Sequence, residues 1–474
     1  MKILLLNPRT EGMIQTELPG YVSREVGRFP PLGILSLAAY VRANSEHAVE
    51  VLDLPAAGLT YDALAQRLRA QPPDLAGITG TTHNLVDILR TAETVRAAAP
   101  AARICLGGPH VDAFPAEALA LKPVDFTVRG EGERAFLDLI RALASGRDGS
   151  GIDGVSFKRS GSAVLASGPA EPIGNLDELP FPARDLVDGR QYYYVLGRRA
   201  TFATIVSSRG CPFKCIFCST PHGSYRERSA ASMADEIETC LAAGAEEIHF
   251  VDDTFNVRAG RIAELGREIL KRGLRARWSI RARVDTIEEE GLRLASAAGC
   301  VRVHYGVETG TDEGLRLLRK GITVAQVERA VALARRHGIA TAAYFLIGCP
   351  HERTRADVLQ TLRFACRLEP DFAMFNVLAI YPHTELFDMA VKRGLIGPDE
   401  WRSFAADPTP GFRLRFWEEH FTREELAGLL KLAYRRFYFR PPVVWRNLRA
   451  LNSWSELRHK AAAALALLAG RGDA

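Results

Sequence analysis

Short apolar runs alternate with amphipathic stretches along most of the chain. Up to residue 145 the runs are Lys2–Asn7, Val49–Leu54, Leu75–Thr79, Arg103–Gly107 and Asp125–Arg129, and they predict strands. Between them, Leu32–Arg42, Tyr61–Ala70, Asn84–Ala99 and Glu133–Ala144 carry the apolar repeat of a helix. This order implies a parallel sheet with helices on both faces, a doubly wound, Rossmann-like α/β domain. A Gly- and Pro-rich connector follows at 146–195, and from 196 to 400 the alternation resumes. Its strand candidates are Thr204–Ser207, Glu247–Val251, Arg277–Arg281, Val301–Val307, Ala340–Ile347 and Phe372–Ala379. Helical periodicity fills the gaps, as in Ile262–Leu270 and Val324–Arg336. Six such units are too few to close an eight-stranded barrel. Residues 401–474 read as helical, with Thr422-Arg-Glu-Glu425 as a capping box.

In doubly wound sheets, ligands bind beyond the carboxyl ends of the strands. Here those ends are rich in glycine and polar residues: Gly80-Thr-Thr-His-Asn84, Gly107-Gly-Pro-His110 and Arg129-Gly-Glu-Gly-Glu133. Adjacent glycines let the backbone approach a large ligand closely. The balance of 25% charged and 47% hydrophobic residues is ordinary for a soluble globular protein. No run reaches the roughly 18 apolar residues of a spanning helix. The opening Met1-Lys-Ile-Leu-Leu-Leu-Asn-Pro8 is too short an apolar run for a signal peptide.

Eight cysteines in 474 residues do not make a disulfide scaffold. Cys105, Cys240, Cys300, Cys349 and Cys366 lie scattered in apolar or helical runs, where packing is the expected role. The remaining three are concentrated in Ser208-Arg-Gly-Cys-Pro-Phe-Lys-Cys-Ile-Phe-Cys-Ser219, a loop after a strand. Thiols at Cys211, Cys215 and Cys218 can converge on one metal cluster, and thiolates are the preferred ligands of iron–sulfur clusters. Three ligands to a [4Fe–4S] cube leave one iron open, as catalytic metal sites require. A structural zinc site is the alternative, but His222 is the sole nearby candidate for a fourth ligand and has no supporting pattern.

The spacing Cys-x-x-x-Cys-x-aromatic-Cys, with Phe217 at the aromatic position, resembles the signature of the radical S-adenosylmethionine (SAM) superfamily. The resemblance implies a partial (β/α)6 barrel whose open iron binds SAM and cleaves it to a 5′-deoxyadenosyl radical. Chemistry in such barrels lies at the carboxyl ends of strands. Tyr305-Gly-Val-Glu-Thr-Gly310 resembles the family's fourth-strand motif, which places Glu308 at the SAM ribose. A carboxylate suits a diol because it accepts two hydroxyl hydrogen bonds. Ser279-Ile-Arg-Ala-Arg283 offers Arg281 or Arg283 to the SAM carboxylate, or simply a surface arginine. Phe250-Val-Asp-Asp-Thr-Phe-Asn256 ends a strand with carboxylates; Asp252 either serves the SAM site or caps the next helix. Tyr381-Pro-His-Thr384 stands where relatives often carry Pro-Gly-Thr.

Ahead of such a triad, the first domain resembles the cobalamin-binding domains of this class. Pro30-Pro-Leu-Gly33, Gly107-Gly-Pro-His110 and Gly130-Glu-Gly-Glu133 match in the expected order. The resemblance assigns Thr79, Thr81, Gly107, Gly108, His110, Gly130 and Glu131 to cobalamin, with a loop-stabilising hydrogen bond as the alternative for His110. No Asp-x-His-x-x-Gly motif occurs, which implies cobalt without a protein histidine beneath it.

Most members of this class are methyltransferases. One SAM methylates the cobalamin and a second yields the radical; the methyl then passes from methylcobalamin to the substrate radical. The expected reaction is C-methylation of an apolar or polycyclic metabolite: a lipid, a tetrapyrrole or a natural product. A non-methylating oxidative cyclase, like the anaerobic magnesium-protoporphyrin ester cyclase, is the alternative, and a cofactor-binding sensor without turnover is a third. Radical chemistry of this kind needs an electron donor such as flavodoxin or ferredoxin. An oxygen-sensitive cluster with free thiols points to the cytoplasm. From Lys431 onward nine Lys or Arg face two acids, a charge of +7 against +5 for the whole chain, with Tyr434, Phe437, Tyr438, Phe439 and Trp445 interleaved. That pattern suits an anionic membrane surface or a basic cap over the barrel; no nucleic-acid motif accompanies it.

Overall fold

The computed structural model describes residues 1–14, 27–159, 162–166, 168–194, 201–220 and 225–449. His222 and the tail beyond Arg449 lie outside them. The chain forms two compact units.

The first unit takes residues 1–15, 28–193 and 397–413. Its seven-stranded sheet uses β1 (Lys2–Asn7), β2 (Ala48–Asp53), β3 (Leu75–Thr79), β4 (Arg103–Gly107), β5 (Phe126–Val128), β6 (Val155–Arg159) and β7 (Ser162–Val164), in the order β2-β1-β3-β4-β5-β6-β7. β1 to β5 are parallel, while β6 and β7 add antiparallel at one edge. Those two strands lie in the stretch expected as a bare connector. Their signal was weak because an exposed antiparallel edge needs no apolar run; Ser162, Ala163 and Val164 are all exposed. Helices Leu32–Asn44 and Gly132–Ala144 pack Leu35, Phe136 and Ile140 onto Ile3, Leu5 and Leu75.

The region expected as a single helical tail divides between the units. Helix Glu400–Ala406 belongs to the first, where Trp401 and Phe404 meet Phe412 at ring-centroid distances of 4.9 and 4.3 Å. Arg402 there pairs with Glu117 at 3.0 Å.

The second unit holds six parallel strands in chain order: β8 (Phe202–Ile205), β9 (Glu247–Phe250), β10 (Trp278–Ala282), β11 (Cys300–Glu308), β12 (Ala340–Ile347) and β13 (Phe372–Val377). Helices join them, so each connection is a βα unit and the sheet is the partial barrel anticipated. β13 is an edge strand, and helix Arg423–Tyr438 covers it. The Tyr434 hydroxyl accepts from Phe375 N–H (3.2 Å) and donates to Phe375 C=O (3.1 Å). Tyr438 does the same at Ala373 (3.2 and 2.8 Å). Phe437 is fully buried between them in sequence. Tyr434 and Tyr438 thus satisfy the open edge of the barrel, and Phe437 packs on Phe375, rather than facing outward. The capping box at Thr422 and Glu425 forms as expected.

Candidate active site

In the first unit the strand order reverses between β1 and β3, the topological switch point where such sheets bind ligands. The loops after β3, β4 and β5 gather at these strand ends. Gly108 has φ 92°, and a Cβ there would stand 2.8 Å from Thr79 Oγ1 and 3.1 Å from the Gly80 carbonyl oxygen. Only glycine lets the two loops approach so closely. The His110 amide then donates to Gly80 C=O at 3.2 Å. Its ring is 1% exposed, with Nδ1 3.1 Å from Thr82 Oγ1 and Nε2 buried without a hydrogen-bond partner. Burial pushes its pKa down to about 4, so the imidazole is neutral. An orphaned buried nitrogen calls for a partner that a bound ligand can supply.

Thr81 closes a capping box with Asn84, whose Oδ1 accepts its amide at 2.9 Å. Gly130 has φ 86° and donates its amide to Asp112 Oδ1 at 2.7 Å. Glu131 Oε2 accepts the Ile173 amide at 2.9 Å, which makes it a tether for the following segment. Thr82 and Asp112 were not singled out by sequence. Both act through a hydrogen bond to a residue that was.

In the second unit the cysteine loop leaves β8 and is clamped at its base. Asp252, 1% exposed, accepts from Ser207 N–H and Oγ–H at 3.0 Å each and from the Ser208 hydroxyl. Buried Arg261 donates to Ser207 C=O and Oγ at 2.9 Å each. Asp252 therefore shapes the backbone leading into the triad, with its pKa raised by burial. Further on, Ile216 is held from both sides: its amide donates to Leu318 C=O (3.2 Å) and its carbonyl accepts from Leu386 N–H (2.9 Å). Cys218 N–H donates to Cys215 C=O at 3.1 Å, and Cys211 Sγ lies 3.9 Å from Thr254 Oγ1.

Glu308 ends β11 with φ 69°, a left-handed conformation uncommon for a side-chain-bearing residue. Lys320 Nζ donates to its Oε1 at 2.6 Å, and a Cβ on Gly306 would stand 2.6 Å from that oxygen and 2.8 Å from Nζ. Burial lowers the Lys320 pKa, but Glu308 and Cys215 outweigh it and the net shift is upward, so Lys320 stays charged. Lys320 Nζ is 6.0 Å from the Phe217 ring centroid. The Cys215 thiol is pushed up by burial and drawn back by Lys320 and Arg283. Arg283 grips Asp285 through two 2.9 Å bonds, donates to Lys320 C=O at 2.8 Å and lies 3.6 Å above the Phe213 ring.

Arg283, rather than Arg281, thus stands beside the thiols. Arg281 sits lower on β10, opposite His304 in register. There His304 links Tyr344 (2.8 Å) and Tyr194 (3.4 Å), and His249 bonds Ser279 at 2.7 Å. Burial, with nearby Arg281 and Arg302, holds His249 at about 3. Lys320 was missed by sequence although Arg319-Lys320-Gly321 has the look of a helix C-terminus. His383 has φ 57°, which explains why glycine suits that position in proteins of this kind. Of the other cysteines, Cys105, Cys240, Cys300 and Cys349 are buried and Cys366 is half-buried.

Among the described residues no three His, Cys, Asp or Glu side chains stand at common metal-ligating distance. The case for the cluster is the donor set itself: three thiols on one clamped loop beside two cations. Gly306 leaves room for the Glu308–Lys320 pair, and the buried His110 Nε2 has an open hydrogen-bond position over the first sheet.

Residues 205–365 match the radical SAM superfamily, and residues 21–140 match the B12 binding domain. An uncharacterized methyltransferase of Pyrococcus horikoshii is 35% identical over 94% of this chain and 95% of its own. The chain belongs to the radical SAM superfamily. Within it, the protein is an enzyme of the cobalamin-binding kind, with a [4Fe–4S] cluster, SAM and cobalamin as cofactors. The anaerobic magnesium-protoporphyrin IX monomethyl ester cyclase of Rubrivivax gelatinosus is 28% identical over 87% of this chain and 74% of its own. The fold is that of the radical SAM methyltransferase TsrM from Kitasatospora setae, solved with cobalamin and cluster: TM-score 0.73, 22% identity, 93% of this chain and 92% of that one.

Proposed function

We propose that this radical SAM enzyme is a C-methyltransferase acting on an unactivated carbon of an apolar or polycyclic metabolite, such as a lipid, a tetrapyrrole or a natural product. The observation that carries the reading is the near end-to-end similarity, at 35% identity, to a methyltransferase. When bound, the cluster and SAM supply a carbon-centred radical, and cobalamin supplies the methyl group.

The chain's own residues bind and orient these groups. Cys211, Cys215 and Cys218 would hold the cluster as thiolates, and at Cys215 the charges of Lys320 and Arg283 favour that form against burial. Glu308 offers its second oxygen to the SAM ribose while Lys320 neutralises the first. Arg283 is placed for the SAM carboxylate, and Arg281 for a group deeper in the barrel. Asp252 acts through Ser207 and Ser208, fixing the loop that carries the thiols. In the first unit Thr79, Thr81, Gly107, Gly108 and Gly130 shape the cobalamin surface, Glu131 anchors its edge, and neutral His110 meets the ligand through Nε2.

An electron donor of the flavodoxin or ferredoxin kind would reduce the cluster. No helix among the described residues is long and apolar enough to cross a membrane. Exposed Phe439, Val444 and Trp445, beside exposed Lys431, Arg435 and Arg436, would suit peripheral contact with an anionic bilayer.

The 28% identity to a cyclase makes ring closure the second reading. Both are tested by supplying methyl-labelled SAM with a hopanoid or with magnesium-protoporphyrin monomethyl ester. Label in a product supports methyl transfer. Ring closure of the tetrapyrrole without label would replace it with the second reading.

A further inference from the structure

Beyond the residues that face SAM, one buried carboxylate lies behind them without a part in the reaction. Glu352, 1% exposed, sits in the turn after β12. Its Oε2 accepts the amides of Gly348 (2.8 Å) and Cys349 (2.9 Å), and its Oε1 accepts the Thr361 hydroxyl (3.2 Å). Thr361 Oγ1 in turn accepts the Gly310 amide (3.3 Å) and lies 3.1 Å from Thr309 Oγ1. Thr309 Oγ1 also meets His351 Nε2 at 3.2 Å. The carboxylate thereby joins the turn after β12 to Thr309 and Gly310, the two residues that directly follow Glu308.

The join bears on Glu308 because that residue is strained. A side-chain-bearing residue at φ 69° persists only where its surroundings over-determine it. Lys320 fixes the Glu308 side chain, whereas the Thr361 hydroxyl fixes the backbone immediately after it. Close packing allows little slack, for a Cβ on Gly310 would stand 2.6 Å from Phe364 Cβ and 3.0 Å from Thr361 Cα. Burying a carboxylate is costly without hydrogen bonds, and Glu352 has three. Burial still raises its pKa to about 7.

We propose that Glu352 is a positioning residue for SAM, acting through Thr361 to hold Glu308 in its left-handed conformation at the end of β11. This rests on the reading that Glu308 faces the SAM ribose. A buried hydroxyl bond of this kind sets a roughly tenfold scale for its loss.

The test is labelled-SAM binding by anaerobic equilibrium dialysis to the reconstituted holoenzyme, with iron content measured alongside. Thr361→Val keeps shape but deletes the hydroxyl, and Thr361→Ser restores it. The expected result is roughly tenfold weaker SAM binding in Glu352→Ala and Thr361→Val, recovery in Thr361→Ser, and iron content unchanged throughout. Glu352→Ala combined with Thr361→Val should be no weaker than the worse single variant, since both cut one path. Unchanged SAM affinity in Glu308→Gln would overturn the Glu308 reading. Weaker binding in Glu308→Gln, with wild-type affinity in Glu352→Ala and Thr361→Val, would overturn the role of Glu352 alone. Loss of iron from Thr361→Val would also overturn it, by making the path structural.

Discussion

At the scale of single residues, charge is placed by burial and pairing rather than by position in a motif. Glu308 and Lys320 are twelve residues apart in sequence yet 2.6 Å apart in space. His110 illustrates the opposite case, a titratable ring kept neutral. Its pKa lies at about 4, against 6.5 for a free histidine, because it is buried. Between those values the unfolded chain binds the proton and the folded one does not, so stability grows with pH there. The contribution is complete above pH 6.5 and is lost as pH falls toward 4. Replacement by glutamine, which does not titrate, should flatten that slope by up to about 3 kcal/mol across the window. Urea unfolding of wild type and His110→Gln at pH 7.5 and 5 reads the difference; parallel slopes would show His110 solvated.

At the scale of elements, the loops carry the sites and the strands place them. The loops after β3 and β4 approach each other closely. A Cβ at Gly108 would stand 2.8 Å from Thr79 Oγ1, and φ 92° is strained for any residue with a side chain. Gly108→Ala should therefore lose bound cobalamin, measured by its visible absorbance after desalting, while keeping the iron of the second unit. Retention of cobalamin at the wild-type level would mean that the two loops are not where the ligand rests.

Elements were also the part of the fold best legible in sequence. Buried parallel strands such as Leu75–Thr79 and Ala340–Ile347 show as continuous apolar runs, and both were found to the residue. Strand β7 was not legible because it is an edge strand whose residues face water, and β6 shows only the short buried run Val155-Ser156-Phe157. The site divides in the same way. The three cysteines and Glu308 were readable from local spacing. Lys320 and the Thr361 hydroxyl were not, since each matters through a partner across a turn or on another element, and sequence left Arg283 undivided from Arg281. Tyr434, Phe437 and Tyr438 looked like surface anchors among basic residues. Their ring and hydroxyl contacts with β13 appear only once the edge strand is in place.

At the scale of the whole molecule, two compact units each carry their own cofactor machinery. Cys215→Ala should accordingly abolish iron incorporation and leave cobalamin binding intact, as judged by metal analysis and absorbance of the same sample. Loss of both would show that the first unit depends on a formed cluster. Taken together, the two units make a radical SAM methyltransferase. The products formed from SAM by the reduced, fully reconstituted enzyme with its substrate test this most directly. A methyltransferase forms 5′-deoxyadenosine together with S-adenosylhomocysteine. Formation of 5′-deoxyadenosine without S-adenosylhomocysteine would contradict methyl transfer, and formation of neither would contradict the enzyme itself.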